Sequence, residues 1–434
     1  MSDAPQGPLR IGLAGLGTVG CGALAILQGQ AELLAERAGR RLEVVAVSAR
    51  DRAKARPVPV DGYRWVEDPL ALAEAADVDV VVEAIGGEEG AAHRLCQAAL
   101  DSGKAVVTAN KALLAHHGAA LARLAETRRV DLAFEPAVAG GIPVVKALRE
   151  GFVGNRVRRI QGILNGTSNY ILSVMRETGR PFAEVLADAQ ALGYAEADPS
   201  FDVDGIDAAH KLALLAAIAF GIEPAFDQIH VEGIRHVTAT DTAFAEELGY
   251  RIKLLGVAEM TAGGLQQRMH PCMVPAAAPI AQVEGVFNAI VIEGDAVGSA
   301  MLVGRGAGDG PTGSAVVADL CDLARGRIPA PFGVPASSLT VASSAPMSDH
   351  VGAYYIRMIV DDRPGVLADV ASCLRDEGVS VETMIQRHRA TDQPVPIVLT
   401  THETDEAALR RALAGIGALE AVREPPRSLR IEQS

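Results

Sequence analysis

Residues 191–211 read ALGYAEADPSFDVDGIDAAHK. Five carboxylates, Glu196, Asp198, Asp202, Asp204 and Asp207, crowd a Gly- and Pro-bearing loop, and one lysine, Lys211, follows on what reads as a helix. Asp207 and Lys211 stand four residues apart, so on a helix they share a face. Such a loop suits a small amino-bearing substrate, and a lysine delivered into an otherwise apolar run (residues 212–220) suits proton transfer. Taken alone, the pair also fits a solvated i,i+4 ion pair.

A second chemical signature opens the chain. Gly15-Leu16-Gly17-Thr18-Val19-Gly20 directly follows an apolar strand and starts a helix. Gly15 allows the tight turn, Gly17 lets the backbone approach a pyrophosphate, and Gly20 lets helix and strand pack closely, with Thr18 and Val19 at the helix start that faces the phosphates. A bare glycine turn is the structural alternative. The second strand ends at Ser48-Ala49-Arg50-Asp51; Arg50 favours the extra phosphate of NADP(H), and Asp51 beside it leaves NAD(H) open. A second glycine loop, residues 304–312, precedes another helix and is expected to close over the cofactor at Gly308, with a plain turn as the alternative.

The elements that must position these groups fall into three regions. Strands expected at 9–14, 42–48, 78–84 and 105–108 lack polar alternation and are separated by helices at 19–38 and 91–102. That pattern reads as a Rossmann-type doubly wound parallel sheet over residues 1–135, with 305–330 packing back on it. Residues 136–340 read as an α+β substrate domain, with strands at 158–164, 230–237 and 282–292 and helices at 169–178, 181–192 and 208–220. The Pro- and Ser-rich stretch 328–350 reads as a linker, with 341–352 separating the domains. Beyond it, 353–425 follows β-α-β-β-α-β order, a small ferredoxin-like module.

Composition bounds the partners. A chain of 434 residues with 49% hydrophobic and 22% charged residues is globular and needs more than one core. A net charge of −14 without a Lys/Arg stripe argues against nucleic acid. No uninterrupted apolar run reaches membrane-spanning length, and no secretory leader is evident, so neither a membrane nor an export route is expected. Cys21, Cys96, Cys272, Cys321 and Cys373 form no CxxC pair, which fits a reducing cytoplasm. His116 and His117 are adjacent and so point apart, and no His/Cys spacing suggests zinc.

The residues at 189–211 resemble those of homoserine dehydrogenases: Ala189, Gly193, Asp198-Pro199, Asp202, Gly205, Asp207 and Lys211 all fall at that family's spacing. Thr108-Ala109-Asn110-Lys111, the run from Phe134 through Glu135 to Pro143, and Asn165-Gly166-Thr167-Ser168-Asn169 extend the resemblance over about residues 9–340, in the monofunctional form. It implies reversible NAD(P)-linked interconversion of L-homoserine and L-aspartate 4-semialdehyde. Lys211 is then the general acid and base, and Lys111 a second cation near the nicotinamide. Glu196 and Asp207 would bind the substrate ammonium, with Asp202 nearby orienting Lys211, Thr167 bonding the substrate, and Gly193 approaching the cofactor. The segment 135–142 resembles the family's monovalent-cation site, for Na⁺, built from carbonyls of Glu135, Val138, Gly140 and Ile142; a plain hinge between domains is the alternative.

The C-terminal module resembles an ACT domain, with its effector turn at Asp362, Pro364, Gly365 and Val366. It implies feedback inhibition by threonine; a dimerisation module without ligand is the alternative. A homodimer or homotetramer is expected. Two other readings are an amino-acid sensor that keeps a non-catalytic dinucleotide fold, and a dehydrogenase of a related semialdehyde.

Overall fold

The computed structural model describes residues 7–387 and 394–432. The first sheet has six parallel strands: β1 (Leu9–Ala14), β2 (Leu42–Ser48), β3 (Arg64–Trp65), β4 (Val80–Glu83), β5 (Ala105–Thr108) and β6 (Leu132–Ala133), in the order β3-β2-β1-β4-β5-β6. Its interior strands are apolar on both faces because both are covered. Val80 and Val82 face one core with Leu24 and Leu320, whereas Val81, between them, faces another with Leu95 and Leu100. The second core helix on the Val80 side comes from far along the chain: Asp309–Arg325 crosses Thr18–Gly29 where Gly22 and Gly313 leave no room for a side chain.

The helix expected over 19–38 is two helices, Thr18–Gly29 and Ala31–Ala38, broken at Gln30. Gly29, a weak helix former, stands at the break.

The second sheet has eleven strands. Its catalytic half comprises β7 (Val157–Ile163), β8 (His230–Val231), β9 (Tyr250–Thr261), β10 (Gly264–Pro275), β11 (Phe287–Gly294) and β12 (Gly298–Arg305). The path β12-β11-β7-β9-β10 is antiparallel, and β8 pairs beside β10. The helices Gly166–Thr178 and Ile206–Phe220 pack on one face. Ile163, Val257, Val274 and Ile280 close the other. The strand expected at 230–237 shrinks to His230–Val231, because Gly233 lies tight against the backbone of Val203 and Asp204 and the chain must turn there. The one expected at 282–292 starts only at Phe287, after a single 3-10 turn at Pro279–Gln282.

The ACT-like module contributes β13 (Val351–Asp361), β14 (Val381–Gln386), β15 (Pro394–Thr401), β16 (Thr404–Asp405) and β17 (Val422–Ile431), with helices Val366–Asp376 and Glu406–Gly417 over one face. It is not a separate bead. β17 continues past residue 425, and its end pairs in parallel with β10 at Cys272–Arg430 and Met273–Ile431, so the two sheets are one. Buried Glu432 then meets Arg268 at 2.8 Å, Arg159 at 2.7 Å and His270 at 3.1 Å. The stretch read as a linker lies along the catalytic half through bridges Ile222–Thr340 and Leu265–Ser344.

Candidate active site

The helix Ile206–Phe220 carries the central groups. Asp207 through Ile218 are all buried, which is why the run after Lys211 is apolar. Lys211 Nζ donates to the carbonyl of Leu164 at 2.7 Å and to Asp207 Oδ2 at 2.8 Å. An ammonium has three donors, so one remains for the cleft. The other oxygen of Asp207 lies 2.9 Å from Nζ of Lys111. Lys111 is the first residue of the helix Lys111–Arg128, whose N-cap Asn110 accepts from the Leu113 amide at 3.1 Å and donates to the Gly87 carbonyl at 2.6 Å. The end of β5 thereby aims Lys111 across the cleft at the catalytic helix. About a third of its side chain stays exposed.

Asn165 completes the arrangement. Its Oδ1 caps the helix Gly166–Thr178 by accepting from Ser168 at 2.8 Å, while Nδ2 donates to Asp207 at 2.9 Å and Asp202 at 2.8 Å. The bond to Lys211 is thus made by Asp207, and Asp202 is tied to Asn165 instead. Thr167 donates its hydroxyl to the Tyr194 carbonyl at 2.7 Å, holding the acidic loop to that helix. Gln190 braces the same loop at the carbonyls of Glu196 and Ala197, leaving the Glu196 carboxylate exposed.

Electrostatics follow from this packing. Burial pushes the Asp207 carboxyl up, yet the two lysines outweigh it and hold the pKa well below the usual range. Burial, together with repulsion from Lys111, draws Lys211 below an ordinary lysine even though Asp207 opposes the shift. Asp207 raises Lys111. Asp202 is raised by burial. The site therefore holds one ammonium that keeps its charge and one that releases its proton more readily, with a shared anion fixing both.

The cleft beside these groups measures about 780 Å³, and its wall includes Thr18, Val19, Lys111, Thr167, Gly193, Glu196, Asp202, Asp207, Lys211 and Gly308. The glycine loop fits a dinucleotide. Gly15 has φ +98°, and a Cβ there would strike the Ala84 backbone. Gly17 has open space on its Cβ side, and the helix it caps has neither a side-chain cap nor an acidic residue in its first turn, so its amides are open to an anion. Gly20 lies against the Gly15 carbonyl. Gly308 caps the helix Asp309–Arg325 from the opposite wall. Arg50 is exposed at the end of β2 and is not part of the cleft lining.

The chain matches the homoserine dehydrogenase NAD-binding model over residues 15–135, the homoserine dehydrogenase model over 143–321 and the ACT domain model over 354–420. A homoserine dehydrogenase of Pseudomonas aeruginosa is 47% identical over 436 residues, covering 98% of this chain and 99% of its own. The chain belongs to the homoserine dehydrogenase family. It is an NAD(P)-dependent oxidoreductase with an ACT domain. The crystal structure of a homoserine dehydrogenase from Thiobacillus denitrificans superposes with a TM-score of 0.93 at 45% identity, covering 99% of this chain and 100% of that one. A hyperthermophilic archaeal homoserine dehydrogenase in complex with NADPH gives 0.63 at 27% identity, over 74% of this chain and 99% of that one.

Among the residues proposed for a cation, Glu135 spends its carboxylate on the amides of Val145 and Lys146, at 3.0 and 2.8 Å, so it has only its carbonyl to offer. Val138, Gly140 and Ile142 are buried in the same turn, with Gly140 pressed on the Gly306 backbone. The Glu135 and Ile142 carbonyls already accept from the Val138 and Val144 amides, which leaves each one lone pair for an ion. In the ACT module, Gly365 caps the helix Val366–Asp376, with Asp362 half-buried and Pro364 exposed beside it and Val366 buried.

Residue-type reasoning missed Asn165 and the Leu164 carbonyl as parts of the site. An Asn preceding Gly-Thr-Ser is a helix-cap signal, and that signal was the available clue. It also missed His210, which is 3% exposed, stacks on Phe226 with ring centres 4.2 Å apart, and is pushed down to about 4 by burial and by His116. Adjacent His116 and His117 do point to different neighbours, but each meets its own glutamate and a second histidine: Glu88 and His210 for the first, Glu89 and His93 for the second. None of the described helices is long and apolar enough to cross a membrane.

Proposed function

We propose that this chain interconverts L-aspartate 4-semialdehyde and L-homoserine with Lys211 as the proton donor and acceptor. A bound nicotinamide supplies or accepts the hydride; the chain supplies the proton. The observation that carries the reading is Asp207 bonded to both lysines at the cleft. With two of its three donors fixed, Lys211 presents the third to a carbonyl oxygen and protonates it as negative charge develops there. In the reverse direction the lowered pKa lets the neutral amine take the hydroxyl proton.

Lys111, charged and part-exposed, polarises the same oxygen. The exposed Glu196 carboxylate, with Asp202, receives the substrate ammonium. Asp207 acts there through the lysines, because three of its roughly four acceptor positions are already used. Thr167 positions the substrate from the cleft wall.

The cofactor is NADP(H) in preference to NAD(H), with Gly15, Gly17, Thr18, Val19 and Gly20 at the pyrophosphate, Gly193 and Gly308 closing over it, and Arg50 at the 2′-phosphate. Na⁺, held by the carbonyls of Glu135, Val138, Gly140 and Ile142, is a structural ion. Threonine binds at Asp362, Pro364, Gly365 and Val366 and inhibits, and the assembly is a homodimer or homotetramer in the cytoplasm, where five unpaired cysteines are stable.

Steady-state rates with aspartate semialdehyde and each reduced nicotinamide, with and without threonine, test the reading. Reduction of a different semialdehyde at a higher kcat/KM overturns the substrate. Threonine binding undiminished in Gly365→Asp overturns the effector site.

A further inference from the structure

Glu88, His116 and His210 lie outside the catalytic roles just described, yet their donor atoms all fall within 4.8 Å of one another. They come from three separate elements. Glu88 stands in the loop after β4, His116 is on the helix Lys111–Arg128, and His210 is on the helix Ile206–Phe220. Glu88 Oε2 is 3.3 Å from His116 Nε2, and the His116 and His210 rings meet edge to face at 5.6 Å. His210 is the unusual member. It is 97% buried by its 3% exposure, and its Nδ1 has no hydrogen-bond partner, a costly state for a ring nitrogen. Nothing in the proton-transfer scheme uses it.

We propose that these three side chains form a site for a divalent transition-metal ion of the Zn²⁺ class, bridging the dinucleotide-binding half to the catalytic helix. Two imidazoles and a carboxylate are the donor set that borderline cations prefer, and three protein ligands leave a fourth position for water. Tetrahedral binding at about 2.1 Å needs donors roughly 3.4 Å apart, so modest side-chain rotation closes the set. Glu88 and His116 reach solvent, whereas His210 is held by its stack on Phe226. Lys111 and Lys211 oppose a dication here, and Asp207 and Glu88 favour it. The open position faces a pocket of about 400 Å³ that Lys111 also lines.

The test is titration of the untagged full chain with Co²⁺, read by its visible d–d absorption, and with Zn²⁺, read by heat and by thermal melting. One equivalent of tightly held ion is expected, with affinity at least tenfold weaker in Glu88→Gln and in His116→Ala and unchanged in His93→Ala. Absence of binding overturns the site, as does binding that survives both substitutions. A titration lost in His93→Ala but kept in Glu88→Gln and His116→Ala assigns the ion to the neighbouring Glu89 group and equally overturns it.

Discussion

Replacing Asp207 by Asn keeps the side chain's shape and its acceptor oxygen but removes the anion that two ammonium groups share. At 2.8 Å and an effective dielectric of about 20, the attraction between Asp207 and Lys211 is about 6 kcal/mol before compensation. If roughly half is recovered by rearranged hydrogen bonds, about 3 kcal/mol is lost, equivalent to about 150-fold in rate. The direction of the titration is also set. Asp207 opposes the downward pull of burial and of Lys111 on Lys211, so without it Lys211 loses its proton more easily. Semialdehyde reduction needs the protonated amine, so its alkaline limb is expected to move to lower pH. Homoserine oxidation needs the neutral amine, and its acidic limb is expected to move the same way. Initial rates in both directions across pH, followed by nicotinamide absorbance, read both limbs, and thermal melting checks that the variant is folded. Limbs that stay in place or move to higher pH in a folded variant refute the reasoning.

Lys211→Ala is expected to lower turnover by about 10³-fold or more while the dissociation constant for NADPH, measured by fluorescence titration, stays within about twofold, since the lost group acts at the transition state. Gly15→Ala is expected to lower the melting temperature and abolish dinucleotide binding, because its backbone is left-handed and tight against Ala84; Gly17→Ala, with open space, is expected to melt normally and weaken only the cofactor. Glu432→Ala leaves Arg268 and His270 buried beside an empty place and is expected to cost about 3–5 kcal/mol in denaturant unfolding.

The parallel sheet was legible because its strands, such as Val80–Glu83, are apolar on both faces and sit between glycine and helix signals. The long hairpin of β9 and β10 was not. Lys253, Arg268 and His270 interrupt its apolar pattern, and each is buried because a distant partner satisfies it: Glu284 and the Val283 carbonyl for Lys253, and Glu432 for Arg268 and His270. Those partners lie about 30 and 160 residues away, beyond any local pattern. The Thr261-Ala262-Gly263-Gly264 turn was the one local clue. At the site, the i,i+4 spacing of Asp207 and Lys211 was readable on the helix. The pairing of Asp207 with Lys111, 96 positions earlier by number, depends on how two domains face each other, and only the folded chain supplies it.

The parallel pairing of β17 with β10 has a consequence for biosynthesis on the ribosome. The residues that complete this pairing are translated about 160 residues after Arg268, so until they emerge the nascent chain carries a bare β10 margin, and Arg268 has Glu259 but not Glu432 to answer its charge. A bare margin of this kind invites pairing with a neighbouring nascent chain. Premature termination before β17 would therefore release an aggregation-prone product rather than an unregulated enzyme.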